Sequence, residues 1–313
     1  MNTVTERSIP VGRRIDGSPW PLRVVEITGT RPGPTTAFVA GMWGDKPLGC
    51  LTLHELVATL AEDELAGVVV VVPAVNLPAL AAGTRVSPDH HQLNRRFPGS
   101  PKGFVTDQIA HTLLTTLRDS ADCVVDLHSG TPAMALNYTY DFGSLDLSLA
   151  FGQLPVVIDH TYPGQLSSVL AAQGIPSCLP EFGGGRFTSS QPGLRGCRNV
   201  LKYRGQLDGP LEGPRRVSVI RDLQLMLASS EGVLVHAEAA PDVGAAVAPG
   251  ELGCVRNVVT GEVVERFEVD RPGGLLLMAA TSMQIVFPGT YAFMVGFPCD
   301  ERLLPEAGSG ASS

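Results

Sequence analysis

Lysine is scarce in this chain. Only Lys46, Lys102 and Lys202 occur among 23 basic residues, set against 31 acidic ones for a formal net charge of −8 over 313 residues. No basic run forms, and an acidic balance of this kind argues against a polynucleotide groove. Long apolar runs are missing too: the longest, residues 68–75, is interrupted by Pro73 and falls far short of the roughly 20 residues that a membrane helix needs. No membrane partner is expected. Residues 1–14 are polar, without the apolar segment of an export signal, so the expected location is the cytoplasm. The six cysteines (Cys50, Cys123, Cys178, Cys197, Cys254, Cys299) stand singly, with no Cys-x-x-Cys spacing. That fits reduced core thiols better than disulfides or a cysteine zinc site. The chain also lacks a Gly-x-x-x-x-Gly-Lys loop, a strand-Gly-x-Gly-x-x-Gly-helix unit and a Gly-x-Ser-x-Gly elbow, so nucleotide binding and serine hydrolysis are both demoted.

What is present is turn chemistry and buried-strand chemistry. The chain carries 35 glycines and 25 prolines, which implies many tight connections and an α/β or β architecture. Its length favours one large domain plus a smaller one. Residues 24–27 and 37–40 read as short strands separated by the turn signal Arg31-Pro32-Gly33-Pro34. Residues 48–60 read as a helix, because Leu53, Leu56, Val57 and Leu60 recur at helical spacing. The β-branched run 68–72 has the composition of a strand buried on both faces. A helix over 106–117 and a buried strand over 123–127, ending at His128, complete a wound α/β pattern.

Ligands in such sheets gather beyond the carboxyl ends of the strands. Residues 43–46, Asn76 and His128 lie just past such ends and are expected to face one crevice. Residues 167–173 look helical, and 175–179 lead through Pro180 into Glu181-Phe182-Gly183-Gly184-Gly185, which would set Glu181 at a strand end beside a glycine-rich turn. From about residue 231 the texture changes to short strands, 232–235, 255–259, 262–267, 274–278, 284–287 and 291–296, as in a small all-β domain. The expected organisation is therefore an α/β domain over 1–204, a connecting segment over 205–230, a β domain over 231–305 and a disordered tail over 306–313.

A family resemblance rests on five segments in order: Gly41-Met42-Trp43-Gly44-Asp45-Lys46, Asn76, Arg85 with Leu93-Asn94-Arg95-Arg96-Phe97-Pro98-Gly99, Asp126-Leu127-His128, and Glu181-Phe182-Gly183-Gly184. Together they resemble the succinylglutamate desuccinylase/aspartoacylase family. The resemblance implies a zinc-carboxypeptidase-like mixed sheet flanked by helices with a smaller C-terminal all-β domain, and hydrolysis of an N-acyl amino acid or related small carboxylate. It implies Glu181 as general base and acid, Asn94 and Arg95 as a substrate-anchoring pair, and Arg85 as a second anchor; a guanidinium suits a bidentate carboxylate.

In that family the first motif reads His-Gly-Asp-Glu, and its His and Glu hold one zinc together with the later His of the Asp-Leu-His segment. Here Trp43 and Lys46 stand at the first two positions and only His128 survives. An indole N–H is a donor only and an ammonium has no lone pair, whereas a catalytic zinc usually takes three protein ligands. Zinc is therefore expected only if His54, His90 or His91, with Asp45 or Asp89, rebuild the site; otherwise no cofactor is expected. His111, His160 and His236 read as surface or structural residues. Lys46 reads as a fixed cation in place of the metal charge, as an ion-pairing filler, or as an amine nucleophile. Trp43 reads as a stacking wall for substrate or as core. Arg96 reads as a salt-bridging surface residue. The expected function is an aspartoacylase/desuccinylase-like amidohydrolase with a remodelled, zinc-independent centre. The alternatives are a pseudoenzyme that binds a small carboxylate or a partner, and a metal-free Lys/Glu acid-base enzyme running cyclisation, transfer or elimination. Assembly into a homo-oligomer is left open.

Overall fold

Alternation along the valine run explains the layering. The computed structural model describes residues 1–152 and 154–311. Its elements run β1 (Thr3–Val11), β2 (Trp20–Thr28), β3 (Arg31–Ala40), α1 (Leu48–Leu60), β4 (Ala66–Val72), α2 (Leu77–Ala82), a 3-10 turn (Leu93–Arg95), α3 (Val105–Arg118), β5 (Cys123–Ser129), β6 (Met134–Phe142), α4 (Leu145–Ala150), β7 (Val156–Val157), α5 (Leu166–Ala172), β8 (Ser177–Gly183) and α6 (Gln191–Tyr203). They continue as β9 (Arg216–Leu227), β10 (Gly232–His236), β11 (Ala246–Val247), β12 (Gly250–Arg256), β13 (Val263–Val269), β14 (Gly274–Ala280), β15 (Ile285–Val286) and β16 (Tyr291–Leu303). In β4, Val69 and Val71 pack with Phe38, Leu53, Leu56 and Val200 on the α1/α6 side. Val70 and Val72 pack with Val39, Ile109 and Leu113 on the α3 side. A strand whose successive side chains point to opposite faces can be apolar throughout only when helices cover both faces, as here.

The long sheet has 12 strands in the order β1-β2-β4-β3-β5-β8-β6-β7-β9-β16-β14-β11. Strands β4, β3, β5 and β8 are mutually parallel. Because β14 pairs with both β16 and β6, strands β6, β7, β9, β16 and β14 close into a ring. A second sheet, β13-β12-β10-β15, packs its own core around Leu234, Val255, Phe267 and Phe293. Among the described residues no helix is long and apolar enough to cross a membrane.

Several local expectations differ from the structure. The chain reverses at Gly29 and Thr30, and Arg31-Pro32-Gly33-Pro34 forms the irregular start of β3, with a register shift between Arg31 and Thr35; prolines without an N–H cannot continue a regular ladder. Strand β8 does not stop at Pro180. It runs on through Glu181, held by β6 across Thr139 and Pro180, while pairing with β5 resumes at His128 and Glu181. The stretch 205–230 is only partly a connection, since β9 lies within it and pairs along β16. The segment 231–305 builds the second sheet and also lends β11, β14 and β16 to the first. Strand β12 ends at Arg256, leaving Val258 and Val259 exposed in a turn. The tail is ordered as far as residue 311: Gly308 and Gly310 donate N–H bonds to the Lys202 and Tyr203 carbonyls at the end of α6, satisfying acceptors that a helix end leaves open. Residues 312 and 313 lie outside the described residues.

Candidate functional site

The carboxyl ends of β3, β5 and β8 converge on one cleft. After β3, Gly41 takes φ +80° and the chain turns into Trp43-Gly44-Asp45-Lys46. Asn76, at the N-terminus of α2, donates from Nδ2 to the Met42 carbonyl at 3.1 Å, and its Oδ1 accepts from Ser87 Oγ at 2.9 Å and from Ala79 N–H at 3.3 Å. It is fully buried, so it braces the motif loop rather than meeting a ligand. Gly44 is a second brace. Its N–H donates to the Thr84 carbonyl at 3.1 Å, and a Cβ at this position would lie 2.0 Å from the Ala79 carbonyl oxygen and 2.5 Å from that of Thr84. Gly44→Ala is therefore expected to destabilise the chain by more than about 2 kcal/mol in urea unfolding, because the obstacles are backbone atoms.

His128 on β5 and Glu181 on β8 are partners in register. Lys46 Nζ lies 3.3 Å from Glu181 Oε2, with side chains only 8% and 11% exposed. His128 Nδ1 lies 3.5 Å from Glu181 Oε1, and its Nε2 lies 3.2 Å from Asp126 Oδ1. The latter pair is an ion-pair contact and not a directed hydrogen bond: Nε2 and both Asp126 oxygens are buried without hydrogen-bond partners among the described residues. The Trp43 indole N–H donates to His128 Nδ1 at 3.2 Å. Burial pushes the Glu181 carboxyl upward, but the Lys46 ammonium and His128 overrule it and hold Glu181 well below the usual carboxylate range, to about 2. Burial pushes His128 down, and the Asp126 and Glu181 carboxylates pull it above its ordinary value. The Trp43 N–H opposes that rise, because it needs the lone pair that a second proton would occupy.

Trp43, Lys46, His128 and Glu181 line a cavity of about 280 Å³ together with Arg85, Asn94 and Arg95. The Arg85 guanidinium lies 4.3 Å above the Trp43 ring and that of Arg95 lies 4.7 Å from the Tyr162 ring. Among the described residues neither has a carboxylate partner, whereas Arg96 pairs with Asp107 at 2.7 Å, as its plainer reading anticipated. Asn94 lines the cavity, but its Oδ1 is committed to the Leu166 N–H at 2.9 Å, which leaves its Nδ2 as what it can offer a ligand. Seven of the residues singled out from the sequence, Trp43, Lys46, Arg85, Asn94, Arg95, His128 and Glu181, thus line one cavity, whereas Asn76 does not.

Sequence reasoning missed the aromatic wall. Tyr138, Tyr140, Tyr162 and His160 line it; the His160 ring stacks on Tyr140 at 5.3 Å, and its Nε2 lies 3.0 Å from the Tyr162 hydroxyl. The signal was available in Leu136, Tyr138, Tyr140 and Phe142, whose period of two marks a strand with one apolar face. Asp126 was also passed over, although i and i+2 in a strand share a face and so put it beside His128.

The donor set does not fit the zinc that the motif order implies. Trp43 and Lys46 supply no lone pair, and the Nδ1 lone pair of His128 receives the Trp43 N–H. The candidates for a rebuilt site do not converge on the cavity either. His54 is exposed on α1 and His91 packs against Phe104. Asp89 accepts from the Thr106 N–H and hydroxyl near the start of α3, and His90 and Asp45 do not line the cavity. Among the described residues no group of three or more His, Cys, Asp or Glu is placed to hold a metal ion.

A mixed α/β sheet with a cationic and carboxylate cluster at its parallel strand ends defines the class. Residues 32–200 match the succinylglutamate desuccinylase/aspartoacylase catalytic domain, and the chain belongs to that family. It is 31% identical over 227 residues to N-alpha-acetyl-L-2,4-diaminobutyric acid deacetylase of Halomonas elongata, an alignment covering 66% of this chain and 66% of that protein, just under two thirds of its length. Two solved structures superpose over nearly the whole chain. The product-bound ectoine utilization protein EutE from Ruegeria pomeroyi is 28% identical, with a TM-score of 0.81 and coverage of 94% of this chain and 95% of that one. The succinylglutamate desuccinylase/aspartoacylase from Rhodobacter sphaeroides is 25% identical, with a TM-score of 0.82 and 96% of both chains covered.

Proposed function

We propose that this chain binds a small N-acyl amino acid or related carboxylate and hydrolyses its amide at a metal-free centre, with Lys46 in place of the family's metal charge. The observation that carries this reading is the buried Lys46–Glu181 contact of 3.3 Å in a cavity that also holds Arg85 and Arg95, neither of which has a carboxylate partner among the described residues. Charge supports it. Losing a divalent cation while a glutamate position becomes Lys46 leaves the net charge of the centre unchanged, so anion binding there survives the exchange. In the reaction Glu181 takes a proton from water, the water oxygen bonds to the acyl carbon, and the Lys46 ammonium faces the oxyanion that develops. Glu181 then passes the proton to the amide nitrogen as the C–N bond breaks, releasing a carboxylic acid and an amine.

A second reading is favoured by one observation. A carboxyl held down to about 2 is a weak base for water, which suits a pocket that binds the carboxylate without turning it over. One experiment separates the two: amine release from a panel of N-acyl amino acids, with and without a strong chelator, alongside calorimetric binding. The expected result is turnover that the chelator leaves intact and that Glu181→Gln abolishes. Arg95→Ala is expected to weaken binding about tenfold, since one charged hydrogen-bonded contact contributes roughly 1.4 kcal/mol or more. Binding without turnover would select the second reading. Activity lost to chelator and restored by zinc would overturn the metal-free centre.

A further inference from the structure

The cavity lining combines three cations with a large aromatic and apolar share. Besides the cations Lys46, Arg85 and Arg95, most of the lining is aromatic or apolar, with tyrosines of β6 and apolar residues of β9, β14 and β16, and the Arg95 guanidinium lies 4.7 Å from the Tyr162 ring. Tyr138 and Tyr140 are nearly buried, 6% and 8% exposed, with ring centroids 5.0 Å apart edge to face. Burial raises the pKa of both phenols, so they stay neutral, and burial lowers that of His160, which joins the wall as an uncharged ring. Nearer the mouth, Tyr162, Leu225 and Tyr291 line the same cavity yet remain 37%, 44% and 45% exposed. They leave part of the apolar lining open to a ligand that enters the cavity. Among the described residues Glu181 is the one carboxylate in the lining, and Lys46 and His128 already face its two oxygens. A ligand ammonium brought in here would lose its water and find no free anion, a cost of several kcal/mol.

We infer that the ligand of this pocket pairs a carboxylate with a bulky apolar group, an aromatic ring above all, and carries no free ammonium and no second charge on its apolar end. The inference rests on the carboxylate reading of the site and narrows it. The Halomonas relative's name specifies a diaminobutyric acid derivative, whose side-chain amine this lining does not accommodate. The ring could belong to the amino acid side chain or to the acyl group; both present the same surface to Tyr138, Tyr140 and Tyr162.

The test is calorimetry on the full chain with four compounds. N-acetyl-L-phenylalanine carries its ring on the amino acid, and N-benzoylglycine carries it on the acyl group. N-acetyl-L-aspartate adds a second carboxylate, and Nα-acetyl-L-2,4-diaminobutyrate adds an ammonium. At least one aromatic compound is expected to bind about tenfold or more tightly than the two charged ones, the scale set by one buried ring. Which aromatic compound wins identifies the ring's source. Tyr162→Ala and Leu225→Ser, both at exposed positions that should not disturb folding, are each expected to shrink that ratio by about threefold or more. Charged compounds binding as tightly as both aromatic ones would overturn the inference and leave the carboxylate pocket standing, as would an undiminished ratio in both variants. Failure of all four to bind would remove the carboxylate reading itself, and this inference with it.

Discussion

Lys46→Met is expected to destabilise the chain by about 3 kcal/mol at neutral pH, near the low end for breaking a buried ion pair from one side. Without the ammonium at 3.3 Å, a carboxylate with little access to water loses its cationic partner. Removing both charges, in Lys46→Met with Glu181→Leu, is expected to recover most of the loss, because two apolar groups of similar size leave nothing unpaired. The pH dependence has a definite sign. The folded-state pKa of Glu181 lies below its ordinary value of 4.5 and near 2. Its pairing therefore contributes stability that is present above pH 4.5 and lost as the pH falls toward 2. The gap between parent and Lys46→Met should be full at pH 7 and close through that acid window, since a protonated Glu181 no longer needs the ammonium. Urea unfolding at pH 7, 5 and 3 reads it. An equal gap at all three would mean that Lys46 acts through packing of its methylenes and not through charge.

How much of this was legible in the sequence follows from what each signal depends on. Helix α1 reads correctly to both ends because Leu53, Leu56 and Leu60 face one core and local periodicity suffices. The valines of β4 read correctly because both faces are covered. Strand β9 escaped notice for a different reason: it is stabilised by β16, distant in the chain, and its mixed polar and apolar residues carry little propensity alone, whereas β6 did show a period of two at Leu136, Tyr138, Tyr140 and Phe142. The site divides in the same way. Motif order placed Trp43, Lys46, His128 and Glu181 in one cavity although residue 43 and residue 181 are far apart along the chain. The tyrosines belonged to no motif: their period of two marks a strand, but their place beside Glu181 depends on the pairing of β6 with β8 and β14, which no local pattern encodes. Asn76 shows the opposite error. It sits where a ligand-facing residue is expected, yet its amide is fully used in holding the Met42 carbonyl, Ser87 and α2.

The double change Trp43→His with Lys46→Glu is expected to convert a chain whose motif supplies one imidazole into one that retains about one equivalent of zinc after dialysis, the geometry of a catalytic site with three protein ligands and one open position. Two obstacles are removed at once. The indole N–H at 3.2 Å leaves the Nδ1 lone pair of His128, and the ammonium at the second position gives way to an anionic oxygen donor. The single changes should each fail. Trp43→His alone keeps a cation where the metal must sit, and Lys46→Glu alone keeps the indole on His128 while setting a second carboxylate beside Glu181. Two buried carboxylates without a cation repel, so the metal-free double variant should be less stable than the parent, and zinc should restore it. At a thousandfold excess over the dissociation constant the recovery is about 4 kcal/mol, which a melting curve with and without zinc reads directly, beside elemental analysis of the dialysed protein. Zinc coupling of this size, confined to the double variant, would establish that residues 43 and 46 occupy the displaced ligand positions. If the folded double variant retained no zinc, the alignment of the first motif with the family's ligand pair would fail, and Lys46 would lose its role as the surrogate charge.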